Sequence, residues 1–167
     1  MAHADGSRPD FRVGIGYDSH RFGAGESLVL GGVRIPHAQS LVGHSDADAV
    51  AHAVTDALLG ATALVDVGAL FPDTEPENAN RDSIEMLTLA ARRVANAGWT
   101  VSNVDVTVVC EAPKIADYRD AMRGRLADAI GVDVGAVWIK GKTNERMGFI
   151  GRNEGIAVLA VASVVRG

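Results

Sequence analysis

The sequence predicts an α+β domain, a sheet with helices packed on one side and a further subunit expected on the other. Three observations carry this. Segments with helical spacing of apolar residues are interspersed with β-rich runs. Apolar residues make up 47% of the chain but aromatics only 5%, so the core is built from small side chains that let helices lie close on a sheet. The last run, IAVLAVASVV over 156–165, is apolar on both faces, as in strands buried on both sides.

The elements follow in order. Met1 to Asp10 (MAHADGSRPD) lacks a signal-peptide apolar region and reads as a flexible tail, and His3 is given no role. Phe11, Val13, Ile15 and Tyr17 fall on one face, with Gly14 and Gly16 on the other, and predict a strand over 11–17. Ser27 to Pro36 carries two short apolar runs around Gly31-Gly32, a hairpin signal. Val50, Ala53, Val54, Ala57, Leu58 and Ala61 keep helical spacing, which predicts a helix over 46–63. Residues 66–80 are rich in Pro, Asp, Gly and Asn and read as a loop. A second helix starts at Asp82 with Asp82-x-x-Glu85 and stops before Gly98. Strands are expected over 101–110, 134–140 and 156–165, with a third helix over 116–130 closed by Gly131. The 167 residues match a single domain at roughly 100–200 residues each, spanning 11–167.

Composition narrows the function. A formal charge of −5 with no long basic run argues against a nucleic-acid partner. One cysteine, Cys110, cannot form an internal disulfide, and no apolar run has membrane-spanning length. A soluble, cytoplasmic protein is therefore expected.

Asp18-Ser19-His20 follows the first strand directly. In extended chain, residues i and i+2 face the same way, about 6.6 Å apart at ~3.3 Å per residue. A carboxylate and an imidazole so placed can close on one ion at ~2.0–2.2 Å. His52 lies on the polar stripe of the first helix, with Asp48 and Asp56 one turn to either side. Asp18, His20 and His52 would hold a zinc-type ion and leave a fourth tetrahedral position open, as catalytic zinc sites do. Asp-x-His alone is a weak motif, and a lone helical histidine is more often simply hydrogen-bonded. The combination of GYDSH at Gly16, GHSDAD at Gly43 and His52 is far more specific.

With those motifs in place the sequence resembles the 2-C-methyl-D-erythritol 2,4-cyclodiphosphate synthase family of the non-mevalonate isoprenoid pathway. The resemblance runs from Phe11 to Arg166. It also rests on GGVRIP at Gly31, HAVTDALLGA at His52, DVGALFPDTEP at Asp66, NVDVTVVCEAPK at Asn103 and KTNERMGFIGRNEG at Lys142. It implies a ferredoxin-like two-layer domain with a mixed sheet, assembled as a homotrimer with active sites between subunits. The implied substrate is 4-diphosphocytidyl-2-C-methyl-D-erythritol 2-phosphate, whose 2-phosphate attacks the β-phosphorus and expels CMP. The nucleophile is then the substrate's own, and the enzyme is a phosphorus–oxygen lyase that works by positioning and charge stabilisation.

The resemblance also assigns residues. Asp18, Ser19 and His20 would lie along the substrate, with Ser19 standing where Val is commoner and pointing away from the metal. His44 and Ser45 would flank the phosphate and erythritol part, and His44 and Thr143 would stabilise the transition state. Glu145 would hold Mg²⁺ or Mn²⁺ bridging the phosphates. Asp66, Val67 and Gly68 match the ribose loop, and Phe71, Pro72, Asp73, Thr74 and Glu75 the loop beside the methylerythritol phosphate. On composition alone those five are a proline turn. Cys110, Glu111, Ala112, Pro113, Lys114, Ile115 and Ala116 match the cytosine pocket, with Cys110 as pocket wall and Lys114 either near phosphate or solvated. Lys142, Thr143, Asn144 and Glu145 match the diphosphate side. Phe149 and Arg152 match a central trimer cavity that accepts isoprenoid diphosphates, although Arg152 suits an ion pair with Glu154 equally. Asp48 could steady a metal-bound histidine or cap the helix. Lys142 and Asn153 depart from the commoner Thr and Gly. Two other readings use the same residues: a zinc phosphohydrolase on nucleoside diphosphates, and a trimer that binds isoprenoid diphosphates without catalysis.

Overall fold

The first strand, β1, runs over Asp10–Gly23, well beyond the expected 11–17 and through Asp18 and His20. The computed structural model describes residues 10–72, 74–75 and 81–166. Of the expected tail, only Asp10 lies among them, and it already belongs to β1.

The other strands are β2 (Ser27–Leu30), β3 (Val33–Pro36), β4 (Ser40–Leu41), β5 (Thr100–Val109), β6 (Val137–Lys142) and β7 (Gly155–Arg166). Five of them form one mixed sheet in the order β4-β1-β7-β5-β6. The apolar last strand is central, antiparallel to both β1 and β5. β5 and β6 run parallel, joined by a helical crossover as parallel pairs require. β2 and β3 pair separately as the expected hairpin. Its turn needs positive φ at two residues, which Gly31 (55°) and Gly32 (71°) supply.

The helices are α1 (Ala49–Thr62), α2 (Val67–Leu70), α3 (Ser83–Asn96), α4 (Arg119–Ile130) and α5 (Gly148–Gly151). Helix α1 begins three residues later than its apolar spacing suggests, because Asp48 is its cap and accepts the amides of Val50 and Ala51. The same fully buried carboxylate accepts the amides of Gly31 at 2.8 Å and Gly32 at 2.6 Å. Capping is therefore the role of Asp48, and it also ties the hairpin to the helix. Burial pushes its pKa up, opposed by those amides.

Asp82 caps α3 as expected, accepting from Ile84 and Glu85. Asp66 caps the short α2, one turn formed inside the expected loop. Two other boundaries moved for a common reason. Single 3-10 turns, Ile115–Asp117 and Val134–Ala136, precede α4 and β6 where continuous elements were expected.

Core side chains from α1, α3, α4 and the sheet make one buried cluster. Even-numbered residues of β1 face α1, and the close approach depends on two glycines. A Cβ on Gly14 would stand 2.1 Å from the Ala57 carbonyl oxygen, and one on Gly16 would stand 1.9 Å from that of Ala53. The large odd-numbered residues face the other way. Phe11, Val13, Ile15 and Tyr17 are 55–68% exposed, with Leu159 and Val161 beside them at 42% and 38%. The strand expected to be buried on both faces is thus half-covered within one chain. At the sheet's edge, Arg119 and Arg123 of α4 donate to the carbonyls of Ile139 and Val137 on β6, which blunts an otherwise free edge.

Candidate active site

Strand β1 and helix α1 bring Asp18, His20 and His52 together. One ligand atom from each lies within 4.8 Å of the others. Asp18 and His20 share the helix-facing side of β1, and His52 enters from the first turn of α1. The Ser19 amide donates to Asp18 Oδ1 at 2.8 Å, which leaves Oδ2 facing both imidazoles. His20 Nε2 lies 3.0 Å from Oδ2, and His52 Nδ1 lies 3.1 Å from it. Edges of a tetrahedron with ~2.0–2.1 Å bonds are about 3.3–3.4 Å, so the spacing is slightly tight for zinc but close to it.

The orientation of His20 points the same way. Its Nδ1 contacts the Val42 carbonyl at 2.9 Å, an acceptor, so Nδ1 carries the proton. Neutral Nε2 is then a lone pair facing a carboxylate oxygen, and it is a buried atom without a hydrogen-bond partner. Something positive belongs between them. Burial alone would lower the His20 pKa, but the hydrogen bond and charge of the Asp18 carboxylate raise it above the usual 6.5. Burial would likewise raise Asp18, yet hydrogen bonds and charge from His20 and His52 hold it at about 2. A carboxylate and two imidazoles so arranged suit a divalent zinc-type ion.

The triad opens into a cavity of about 240 Å³ lined also by His44, Ser45, Val67, Gly68, Phe71 and Met86. The Ser45 hydroxyl lies 3.1 Å from His52 Nε2. Asp66, the expected ribose ligand, uses its Oδ1 to accept from Ala69 at 2.7 Å. Asp56 accepts from Val67 and ties α1 to this loop. Glu75 donates its amide to the Pro72 carbonyl at 3.1 Å, so the proline turn is present. Thr74 and Glu75 are exposed, whereas Asp73 lies outside the described residues. Ser19 lines neither cavity and is exposed on the far side of the strand.

A second cavity, of about 310 Å³, is lined by Cys110, Glu111, Pro113, Lys114, Ile115, Ala116, Arg119, Gly141, Lys142 and Thr143. Ala112 precedes Pro113 through a cis peptide. Beyond this cavity the chain turns sharply, with Glu145 and Arg146 both at positive φ. Glu111 steadies that turn by accepting the amides of Asn144 and Arg146. The Thr143 hydroxyl donates to Glu145 at 3.0 Å, and the Asn144 side chain to the Met147 carbonyl at 2.9 Å. Lys114 is exposed, 3.9 Å from Asp117. Phe149 is 43% exposed, and Arg152 pairs with Glu154 at 2.6 Å, the alternative the sequence had left open. Asn153 adopts φ 58°, a left-handed conformation that Asn tolerates better than most residues, so it can stand in for the commoner Gly.

Cys110 is a wall and not a nucleophile. Burial, with help from Glu111, pushes its thiol up to about 11 from 9.0. At pH 8 that leaves about a hundredfold less thiolate than an ordinary cysteine. Iodoacetamide at pH 8 should label the native protein at least about a hundredfold more slowly than the denatured chain, followed by intact mass. Rapid native labelling would contradict this assignment.

Among the described residues the two cavities share no lining residue. They lie at the same end of the sheet, where Ser19 pairs with Ala157, Ala157 with Val109, and Val109 with Lys142. Three strand spacings of ~4.8 Å place those ends about 14 Å apart. Besides Gly141 of β6, which lines the second cavity, sequence reasoning missed two helical residues, Met86 at the first cavity and Arg119 at the second. Each sits on a helix whose apolar or charged pattern is explained by packing, so neither carried a signal.

Comparison with known proteins agrees with this geometry. The YgbB family model matches residues 11–165. The chain is 55% identical over 154 residues to the 2-C-methyl-D-erythritol 2,4-cyclodiphosphate synthase of Gemmatimonas aurantiaca, covering 92% of this chain and 93% of that one. It is also 55% identical over 151 residues to that of Chromobacterium violaceum, covering 90% and 96%. Among solved structures, the bifunctional IspDF of Campylobacter jejuni superposes with a TM-score of 0.92 at 38% identity, over 96% of this chain and 43% of that longer one. The CDP complex of Plasmodium falciparum IspF gives 0.83 at 30% identity, over 96% and 99%. A donor set fit for zinc, the fold and more than half of all aligned residues therefore agree, and the chain belongs to the YgbB family, that of the 2-C-methyl-D-erythritol 2,4-cyclodiphosphate synthases.

Proposed function

We propose that this protein cyclises 4-diphosphocytidyl-2-C-methyl-D-erythritol 2-phosphate to 2-C-methyl-D-erythritol 2,4-cyclodiphosphate. An oxygen of the 2-phosphate forms a bond to the β-phosphorus, the bond from that phosphorus to the bridging oxygen breaks, and CMP leaves. The observation that carries the reading is the convergence of Asp18 Oδ2, His20 Nε2 and His52 Nδ1 on one point at the wall of a cavity. A zinc-type ion bound there supplies Lewis acidity to a phosphate oxygen.

The chain's own residues do the rest. His44 and Ser45 stand in the same cavity and offer imidazole and hydroxyl donors to phosphate oxygens. Val67 and Gly68, with Asp66 at the start of their turn, close the ribose side. Phe71, Pro72 and the residues up to Glu75, Asp73 included, flank the methylerythritol phosphate. Residues 110–116 form the cytosine pocket, and Lys142 and Thr143 line its diphosphate side. Glu145, beside the Thr143 hydroxyl, is an exposed oxygen ligand suited to Mg²⁺ or Mn²⁺ at the diphosphate.

The assembly is a homotrimer of ferredoxin-like two-layer domains. The uncovered apolar face around Ile15 and Leu159 supports that reading, since monomers rarely leave such patches open. So does the separation of the two cavities, because a neighbouring subunit can set its second cavity against this chain's first. Phe149 and Arg152 would face a central cavity accepting isoprenoid diphosphates. The cytoplasm is the expected compartment, and no helix among the described residues is long and apolar enough to cross a membrane.

Incubation with the substrate and Mg²⁺, followed by mass spectrometry, tests the activity. CMP with the cyclic diphosphate is expected. CMP with a linear product of water attack would make the protein a hydrolase, and tight isoprenoid diphosphate binding without turnover would make it a binding trimer.

A further inference from the structure

We propose that Ser83 and Asp46 form an outer tether for His52, a pair of positioning residues that fixes which imidazole nitrogen is presented to the metal. The proposal rests on the reading of Asp18, His20 and His52 as metal ligands.

Ser83 is the first residue of α3 and is fully buried. A serine at a helix start usually turns its hydroxyl back to cap its own helix. Here Asp82 already accepts the amides of Ile84 and Glu85, so the Ser83 hydroxyl is free for another use. It lies between two partners brought from far along the chain: a short contact to Asp46 Oδ1, and His52 Nε2 at 2.9 Å.

Proton counting gives the chain a direction. An ionised carboxylate can only accept, so the Ser83 hydroxyl donates to Asp46. The serine oxygen then faces His52 with lone pairs alone, and Nε2 must carry the proton. With Nε2–H fixed, His52 Nδ1 is left bare toward Asp18 Oδ2, as metal ligation requires. The opposite tautomer would set a nitrogen lone pair against the serine oxygen at 2.9 Å. Ser45 also approaches Nε2, at 3.1 Å, but among the described residues no carboxylate is hydrogen-bonded to its hydroxyl, and it accepts the Ala47 amide.

Asp46 is itself held. The amides of Ser83 (3.1 Å) and Asp48 (3.2 Å) donate to its carboxylate. The tether thus joins the segment before α1 to the start of α3, and His52 is gripped on both ring nitrogens. Ligand histidines held this way bind metal more tightly, and loss of the outer partner typically costs ~10–100-fold in affinity.

The experiment measures zinc affinity of the full chain by competition with a chromophoric chelator. Ser83→Ala is expected to weaken zinc binding by ~10–100-fold. Asp46→Asn, close to isosteric, is expected to weaken it in the same direction by a smaller factor. In the zinc-bound protein, the His52 Nε2–H proton should be visible by NMR in wild type and lost to solvent exchange in Ser83→Ala. Should Ser83→Ala fail to fold, Asp46→Asn and the NMR signal in wild type still decide. Wild-type zinc affinity in both variants, or a rapidly exchanging Nε2–H in wild type, would overturn the tether even if melting temperature falls. Failure of the wild type itself to bind zinc would instead overturn the metal reading beneath it.

Discussion

His52→Ala should give a folded protein that no longer retains zinc and turns over at least about a thousandfold more slowly, a loss of ~4 kcal/mol in transition-state stabilisation. Only Asp18 and His20 would remain as protein ligands, too few for a stable tetrahedral site. The fold should survive for reasons local to α1. His52 is half-buried on the polar side of the helix, and alanine is the best helix former. Helix α1 keeps its cap at Asp48 and its buried face from Val50 to Ala61. Elemental analysis, circular dichroism and the mass-spectrometric assay report the three properties separately. Unchanged metal content would remove His52 from the site.

Gly16→Ala should be the most destabilising single-methyl change in the sheet. The added Cβ would sit 1.9 Å from the Ala53 carbonyl oxygen and 2.8 Å from the Ala57 amide nitrogen. Both are backbone atoms of α1, which cannot rotate aside as a side chain would. Helix and strand must therefore separate along a contact that organises the core. Overpacking of this kind costs ~1–3 kcal/mol or more, and the upper end corresponds to a melting temperature lower by roughly 6–12 °C. Zinc affinity should fall as well, because β1 carries two ligands and α1 the third. Calorimetry and the chelator titration measure both effects. Gly124→Ala is the control: it lies within α4 with nothing inside 4 Å of the new methyl, so it should be neutral or slightly stabilising. Equal melting temperatures for the two variants would refute the close-contact argument.

Much of this was legible in the sequence, and the parts that were not share a cause. Apolar spacing marked α1, Asp82-x-x-Glu85 and Gly98 marked α3, and Gly31-Gly32 marked the hairpin, because those signals are local. The Asp18–His20 pair followed from strand geometry alone. Its closure with His52 was expected from the GYDSH and GHSDAD motifs, although the alternation up to Tyr17 did not announce a strand continuing to Gly23. Phe11, Val13, Ile15 and Tyr17 marked the strand correctly, yet the face they form is the one turned away from the helices. The glycines between them are the buried residues, and only tertiary contact reveals that. Ser83 was invisible for a similar reason: a serine after a capping aspartate is ordinary, and its partners lie 31 and 37 residues away. The Asp18–His20–His52 cluster, His44 and Ser45 at the first cavity, and most of residues 110–116 at the second were legible because motifs keep such residues in short recognisable strings.

The grip of Asp48 on four backbone amides has a consequence for how fast and how tightly an ion can be captured. Two of those amides belong to the hairpin turn and two to the first turn of α1, so one carboxylate closes the intervening segment into a loop without any metal. The conformational entropy of that segment is surrendered during folding, and little is left to lose when the ion arrives. His52 begins one turn later, its amide bonded to the Asp48 carbonyl. An incoming cation therefore meets a receptor already shaped, and its binding free energy goes into coordination instead of ordering the chain.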